Sequence, residues 1–188
     1  SGRPVSGVQV RVVSDSGRDL PHDGQSVGEL QLRGPWITGA YYRDESPHSF
    51  TADGWLRTGD VGHIDAQYYV QLTDRTKDVI KSGGEWISSV DLENTLVAHP
   101  GVVEAAVIAI PDERWQERPL AIVVCNDEAL TAHELREFLK DRVAKFWIPE
   151  YWAFAGDIPK TSVGKLDKKR LRDMRESGEL RVEDGRQP

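Results

Sequence analysis

Sulfur is nearly absent from this 188-residue chain, which has one cysteine, Cys125, and one methionine, Met174. A single cysteine excludes an internal disulfide and a cysteine-rich zinc site, and fits a reducing compartment. Methionine is missing from position 1, and the start, Ser1-Gly2-Arg3-Pro4, is loop-like with no secretory signal, so a piece of a longer polypeptide is expected. No apolar run approaches the ~18 residues that span a bilayer, so no transmembrane segment is expected. A positive balance is lacking too. Lys and Arg number 24 against 31 Asp and Glu, a net charge of −7, which suits no general nucleic-acid coat. The five histidines, His22, His48, His63, His99 and His133, show no metal-ligating spacing, and no metal site is expected in the chain. What is present, 38% hydrophobic and 29% charged residues with 17 Gly and 10 Pro, describes a turn-rich globular protein that can bury a core.

Up to about Thr73 the pattern is β-rich. Val8, Val10 and Val12 alternate with Gln9 and Arg11, and Leu30 and Leu32 with Glu29, Gln31 and Arg33, the period of half-buried strands. Further short strands are expected over 62–65 and 68–73, and helix only as one turn near 46–49. After Arg75 the texture changes. Ser88-Ser89 start a helix to about Ala98, with Asp91 and Glu93 in its first turn. The apolar, β-branched runs 102–110 and 120–125 predict buried strands, with Cys125 as a core thiol. Thr131-Ala132-His133-Glu134 is a capping box ahead of a helix that places Leu135, Phe138, Leu139, Val143 and Phe146 on one face. A strand over 151–155 and a basic helix from Asp167 to about Glu176 follow, and the last ten residues are expected to fray. The fold class is α+β: a β-rich part, 1–76, then a small α+β domain, 77–188, with a short central sheet flanked by helices.

Four segments carry candidate chemistry. Gly54-Trp55-Leu56-Arg57-Thr58-Gly59-Asp60 has two glycines for an unusual backbone and a carboxylate expected at the loop end before a strand, suited to two vicinal hydroxyls. Taken alone it is an ordinary surface turn. Asp74-Arg75-Thr76-Lys77-Asp78-Val79-Ile80-Lys81-Ser82-Gly83-Gly84-Glu85-Trp86-Ile87 sits at the change of texture, a charged linker entering a hairpin whose glycines allow close backbone approach. Pro159-Lys160-Thr161-Ser162-Val163-Gly164-Lys165-Leu166-Asp167 lacks the glycine and hydroxyl positions of a Walker loop. From Pro159 to Arg175 there are seven basic and two acidic residues on an otherwise acidic chain, which suggests an anionic ligand, although Lys168 and Lys169 read as a solvated helix face. Gly28-Glu29-Leu30-Gln31-Leu32-Arg33-Gly34-Pro35, with Gly39-Ala40-Tyr41-Tyr42, reads as a strand, a turn and two core aromatics.

In this order and spacing the four segments resemble the adenylate-forming superfamily of acyl-CoA synthetases, peptide-synthetase adenylation domains and luciferases. The resemblance runs from about Gly2 to Arg175. Lys81-Ser82-Gly83-Gly84-Glu85-Trp86-Ile87-Ser88-Ser89 and Trp115-Gln116-Glu117-Arg118-Pro119 look like the medium- and long-chain fatty acyl-CoA synthetases. The family's phosphate-cradling loop, adenine site, acyl tunnel and the Glu ligand of Mg²⁺ are not in the chain. The resemblance therefore implies the last, barrel-like part of a large N-terminal domain (1–76) and the whole C-terminal lid domain (77–188).

The family reaction joins a fatty carboxylate to ATP, giving acyl-adenylate and pyrophosphate, and then passes the acyl group to coenzyme A. The resemblance implies Lys165 as the catalytic lysine of the first step, and Asp60 and Arg75 as holders of the ATP or AMP ribose. It further implies Lys77 as a hinge, and Gly83 and Gly84 as the passage for the pantetheine arm of CoA, with Glu85 and Trp86 in support. Mg²⁺ would arrive with ATP on ligands outside the chain. The expected partners are the missing N-terminal domain and a fatty acid, the expected location is cytoplasmic or peripheral to a membrane, and the chain alone is expected to be inactive. Two alternatives remain open at this point: an adenylation domain that loads a carrier protein, and a non-catalytic binding module.

Overall fold

The computed structural model describes residues 2–42, 47–126 and 129–186. The chain divides into two compact units, Ser1–Lys77 and Asp78–Pro188.

The first unit is an antiparallel meander of β1 (Gln9–Val13), β2 (Gly28–Arg33), β3 (Leu56–Ile64) and β4 (Val70–Arg75), in that spatial order. Val10, Val12, Leu30 and Ile64 form its core. The alternation marks Gln31 for the open face, yet Gln31 is only 1% exposed. A cross-strand polar network covers it: Arg11 Nε donates to Gln31 Oε1 at 2.9 Å, Gln31 donates to Glu29 at 2.9 Å, and Arg57 pairs with Glu29 at 3.1 Å. Buried Trp55 lies under two guanidiniums, those of Arg11 and Arg33, at 4.4 and 4.5 Å from its ring. Pro47–Ser49 form one turn of 3-10 helix, whereas Ser46 lies outside the described residues. Tyr41 and Tyr42, expected in the core, are exposed because the chain has left the sheet after Arg33.

The second unit is built on β7 (Val102–Asp112) and β8 (Gln116–Cys125), paired antiparallel along their length, with β9 (Tyr151–Phe154) parallel to β8. Their apolar runs do not alternate because both faces are covered. Ala105, Val107, Ala121 and Val123 face α1 (Ser89–Val97) and α2 (Ala132–Lys140), through Leu92, Leu96, Leu135 and Leu139. Ala106, Ile108, Leu120 and Ile122 face the other way, toward Leu171 of α3 (Lys168–Ser177). Cys125 is half-buried against the first of these clusters.

Helix α1 starts where expected, with Ser88 Oγ accepting from Asp91 N at 3.1 Å. Glu93, however, is not a surface acid of the first turn. It points inward, 8% exposed, and accepts the Val107 amide at 2.8 Å. The capping box of α2 is present. That helix stops at Lys140, short of Val143 and Phe146, because Arg142 folds back. Its guanidinium takes the Phe138 carbonyl at 2.7 Å and stacks on the Phe138 ring at 3.8 Å, satisfying a C-terminal acceptor. Val143 is half-buried in the following turn, and Phe146 is exposed in the 3-10 turn Lys145–Trp147. Within the expected frayed tail, residues 183–185 are held: β10 (Glu183–Asp184) pairs with β9, and Gly185 packs on Trp152.

The hairpin β5 (Ile80–Ser82) and β6 (Glu85–Ile87) turns on Gly83 and Gly84, with φ of +61° and +87°, as a two-residue loop of type I′ requires. Gly83 donates its amide to the Trp115 carbonyl at 2.8 Å, and a Cβ on Gly83 would lie 2.9 Å from the Trp115 ring. Around Gly84 a Cβ meets nothing.

Two stability expectations follow from these contacts. Leu135→Ala should cost about 2–5 kcal/mol through the cavity it leaves, against about 1 kcal/mol for Thr131→Ala, which removes only the cap. Comparable losses in urea denaturation would mean that capping, not packing, holds α2. In the hairpin, Gly84→Ala should cost about 1–2 kcal/mol for left-handed backbone alone, and Gly83→Ala clearly more, because Trp115 must move. Equal losses would show that the indole does not rest on the turn.

Candidate functional site

Asp60 does not end a loop before a strand; it lies inside β3. Between the pairs Glu29↔Val61 and Gln31↔Arg57, β3 spends more residues than β2, and the excess bulges out around Gly59, whose φ is +71°. Thr58 Oγ1 pins the bulge, donating to the Leu30 carbonyl at 2.7 Å and accepting from Asp60 N at 3.0 Å. Asp60 stands opposite Arg75 in register on β4, and Arg75 Nε meets Asp60 Oδ1 at 2.9 Å. That contact fixes the carboxylate and leaves Oδ2 without a donor among the described residues, on a side chain 26% exposed. An oriented carboxylate of this kind can accept from two hydroxyl groups.

In the second unit, the Gly83-Gly84 turn lies beneath Trp115, at the start of β8. Trp115 is held in turn by Asp112, whose carboxylate accepts the amides of Arg114 and Trp115 at 2.9 and 2.8 Å. Glu85 is exposed, and Trp86 lies under the Lys81 ammonium, 5.6 Å from the ring centre. Lys165 belongs to a different element, the loop over 159–167. The loop closes on itself: Asp167 N donates to the Pro159 carbonyl at 2.9 Å, Thr161 N to the Lys165 carbonyl at 2.8 Å, and Lys165 N to Thr161 Oγ1 at 3.2 Å. Gly164, with φ of +77°, makes the tight turn before Lys165. The Lys165 side chain is exposed and makes no hydrogen bond or ion pair with a described residue. Lys160, on the other arm of the loop, pairs with Glu104 at 3.0 Å, and that hydrogen bond and charge hold its ammonium above the usual lysine range.

The structure thus joins Asp60 to Arg75, and Gly83 and Gly84 to Glu85 and Trp86. Lys165 stands on its own loop, and exposed Lys77 is the last residue of the first unit. Among the described residues, no three His, Cys, Asp or Glu side chains converge on a metal position. No helix among them is long and apolar enough to cross a membrane.

One feature was missed in the sequence. A cavity of about 440 Å³ is lined by Arg118, Arg136, Lys140, Lys145, Ile148 and Glu150. Arg118 is 5% exposed. It donates to Ser82 Oγ at 3.0 Å and to the carbonyls of Phe146 and Ile148 at 2.7 and 3.2 Å, while its buried Nε has no partner among the described residues. Lys145 is exposed, with no described partner. Four cations against one carboxylate make the cavity strongly basic, and the Arg118–Ser82 bond ties it to the Gly83-Gly84 hairpin. The sequence signal was slight: Arg118 stood within a subgroup signature, and the others are spread over helix and loop.

The AMP-binding enzyme C-terminal domain family matches residues 91–165. Over 177 residues the chain is 53% identical to the long-chain-fatty-acid–CoA ligase of Thermus thermophilus, covering 93% of this chain and 33% of that protein. Over 173 residues it is 46% identical to the medium-chain-fatty-acid–CoA ligase of Ectopseudomonas oleovorans, covering 92% and 32%. Among solved structures, ATP-bound MatB from Rhodopseudomonas palustris superposes with a TM-score of 0.76 at 32% identity, over 92% of this chain and 35% of that one. The Bacillus subtilis o-succinylbenzoate CoA synthetase with its acyl-adenylate intermediate gives 0.75 at 33%, with the same coverage. The chain spans about a third of the length of these relatives. It belongs to the adenylate-forming superfamily, and the part of that family it represents is the C-terminal one, with the AMP-binding enzyme C-terminal domain.

Proposed function

We propose that the protein carrying this chain is an AMP-forming fatty acid–CoA ligase, in which residues 1–76 end a large N-terminal domain and residues 77–188 form the mobile lid. The observation that carries the reading is the Asp60–Arg75 pair, a carboxylate held across two strands with one oxygen unpaired among the described residues and so available to ribose hydroxyls. Two relatives named as fatty-acid–CoA ligases support the substrate class.

In the first half-reaction the fatty carboxylate approaches the α-phosphate of ATP, and charge accumulates where two anions meet. A compact point charge on an exposed loop tip, Lys165, relieves it. Asp60 and Arg75 hold the nucleotide. In the second half-reaction the thiol of CoA attacks the acyl carbon and AMP leaves. Gly83 and Gly84 present bare backbone along which a pantetheine arm passes, beside the flat face of Trp115, with Glu85 and Trp86 in support. The basic cavity at Arg118, Lys140 and Lys145 suits the phosphates of CoA. Mg²⁺ bound to ATP would be held by residues outside this chain, and no step here is assigned to it. Lys77 is the pivot between the two arrangements, and the division of the chain next to it supports that role.

The test is single-turnover measurement of each half-reaction in the full-length enzyme. Lys165→Ala should slow adenylation by at least a hundredfold, since electrostatic stabilisation of this kind is worth about 3–4 kcal/mol, and should largely spare thioester formation from supplied acyl-adenylate. Lys77→Pro, which fixes φ and removes an N–H, should do the reverse, leaving adenylation within about tenfold and lowering thioester formation far more. Equal damage to both half-reactions by Lys165→Ala, or acyl transfer to a carrier protein but not to free CoA, would overturn the reading.

A further inference from the structure

Helix α3, which begins three residues after Lys165, carries two inward-facing cations one turn apart, Lys168 and Arg172, on either side of buried Leu171. The Lys168 ammonium sits 2.7 Å from Glu93 Oε1 and 2.6 Å from Ser89 Oγ, and both charged side chains of the pair are only 11% exposed. The same Glu93 oxygen accepts the Val107 amide at 2.8 Å, so this carboxylate links α1, β7 and α3. Arg172 Nη2 meets Asp78 Oδ1 at 2.7 Å, with the side chains 30% and 14% exposed. Asp78 is the residue after Lys77 and the first of the second unit.

Buried ion pairs are poor sources of net stability, because desolvation offsets most of their attraction, and their best-attested use is to fix register. An apolar contact would hold α3 on the sheet equally well but would let it rotate about its axis or slide along it. Two directional pairs at i and i+4 prevent both motions. The loop over 159–167 is closed by its own hydrogen bonds and so moves as a piece with the helix start to which it is joined.

We infer that Glu93 and Asp78 are positioning residues: through Lys168 and Arg172 they lock α3 into a lever that runs from the pivot to Lys165 and fixes where the lysine arrives. This rests on the role of Lys165 proposed above. Displacing a reacting group by about 1 Å can cost on the order of a hundredfold in rate. A group that acts in the transition state shows its loss in kcat rather than KM.

The experiment compares Glu93→Gln, Arg172→Asp, the exchanged pair Asp78→Arg with Arg172→Asp, and Lys165→Ala in the full-length enzyme. Glu93→Gln retains an acceptor for the Val107 amide but removes the charge. It is expected to lower kcat for adenylation about ten- to a hundredfold, with the KM for ATP and thioester formation from supplied acyl-adenylate each within about threefold of the parent. Arg172→Asp should lower adenylation about tenfold, and the exchanged pair should restore it to within about threefold. If Lys165→Ala slows adenylation but the latch variants do not, or slow both half-reactions alike, or if the exchange fails to restore the rate, the positioning role is overturned and the functional reading stands. If Lys165→Ala leaves adenylation intact, it is the functional reading that fails. Should Glu93→Gln not fold, the exchange of Asp78 and Arg172 decides.

Discussion

Strand β8 is apolar on both faces, and the second unit is organised by the need to keep both faces dry. Residues 121 and 123 require the layer of α1 and α2; residues 120 and 122 require α3. Removing either layer would expose one apolar face of the same strand. The elements that bear candidate chemistry depend on this frame. The Gly83-Gly84 hairpin touches the beginning of β8 through Ser82 and Gln116, and the Lys165 loop leads into the helix that covers its far face. Two different chemical surfaces are thereby carried by one compact unit.

The electrostatics show a division of labour. Exposed pairs such as Lys160–Glu104 are screened by salt and worth little each. Those that organise the unit are sheltered: Glu93 with Lys168, and Arg118 with its carbonyls and Glu150. The chain is acidic as a whole, yet two local positive features, the cavity at Arg118 and the loop at Lys165, stand out against that background. Anionic ligands would be drawn to these places and repelled elsewhere.

Most of the framework could be read from sequence where a residue's fate depends on its neighbours in the chain. The apolar runs of β7 and β8, the Ser88 and Thr131 caps and the two-glycine hairpin are local signals, and they appear where expected. Two of the failures have a common cause, long-range partners. Lys168 looked like a solvated helix lysine because Glu93 lies 75 positions away, and Gln31 looked open because Arg11 comes from another strand. The end of α2 was overrun for a different, local reason: Arg142, two residues past the helix, turns back onto Phe138. The candidate site divides in the same way. Lys165, Gly83, Gly84, Asp60 and Arg75 sit in compact motifs, whereas the cavity draws on Arg118, Arg136 and Lys145, which no single window contains. The register that sets Asp60 against Arg75 depends on a bulge in β3 that only pairing with β2 defines.

The edges of the second sheet have a bearing on how the protein behaves in a crowded solution. Among the described residues strand β7 pairs with β8 alone, and the amide of Val107 is taken by the Glu93 carboxylate. The outer side of β9 is covered by the two residues of β10, flanked by Arg186, which pairs with Asp184 and Glu150. Free backbone along either border could template a strand from another molecule, and charge at the border opposes that. At β7 the protection is of another kind: the bond from Val107 to Glu93 takes up a backbone donor that an added strand would otherwise find free.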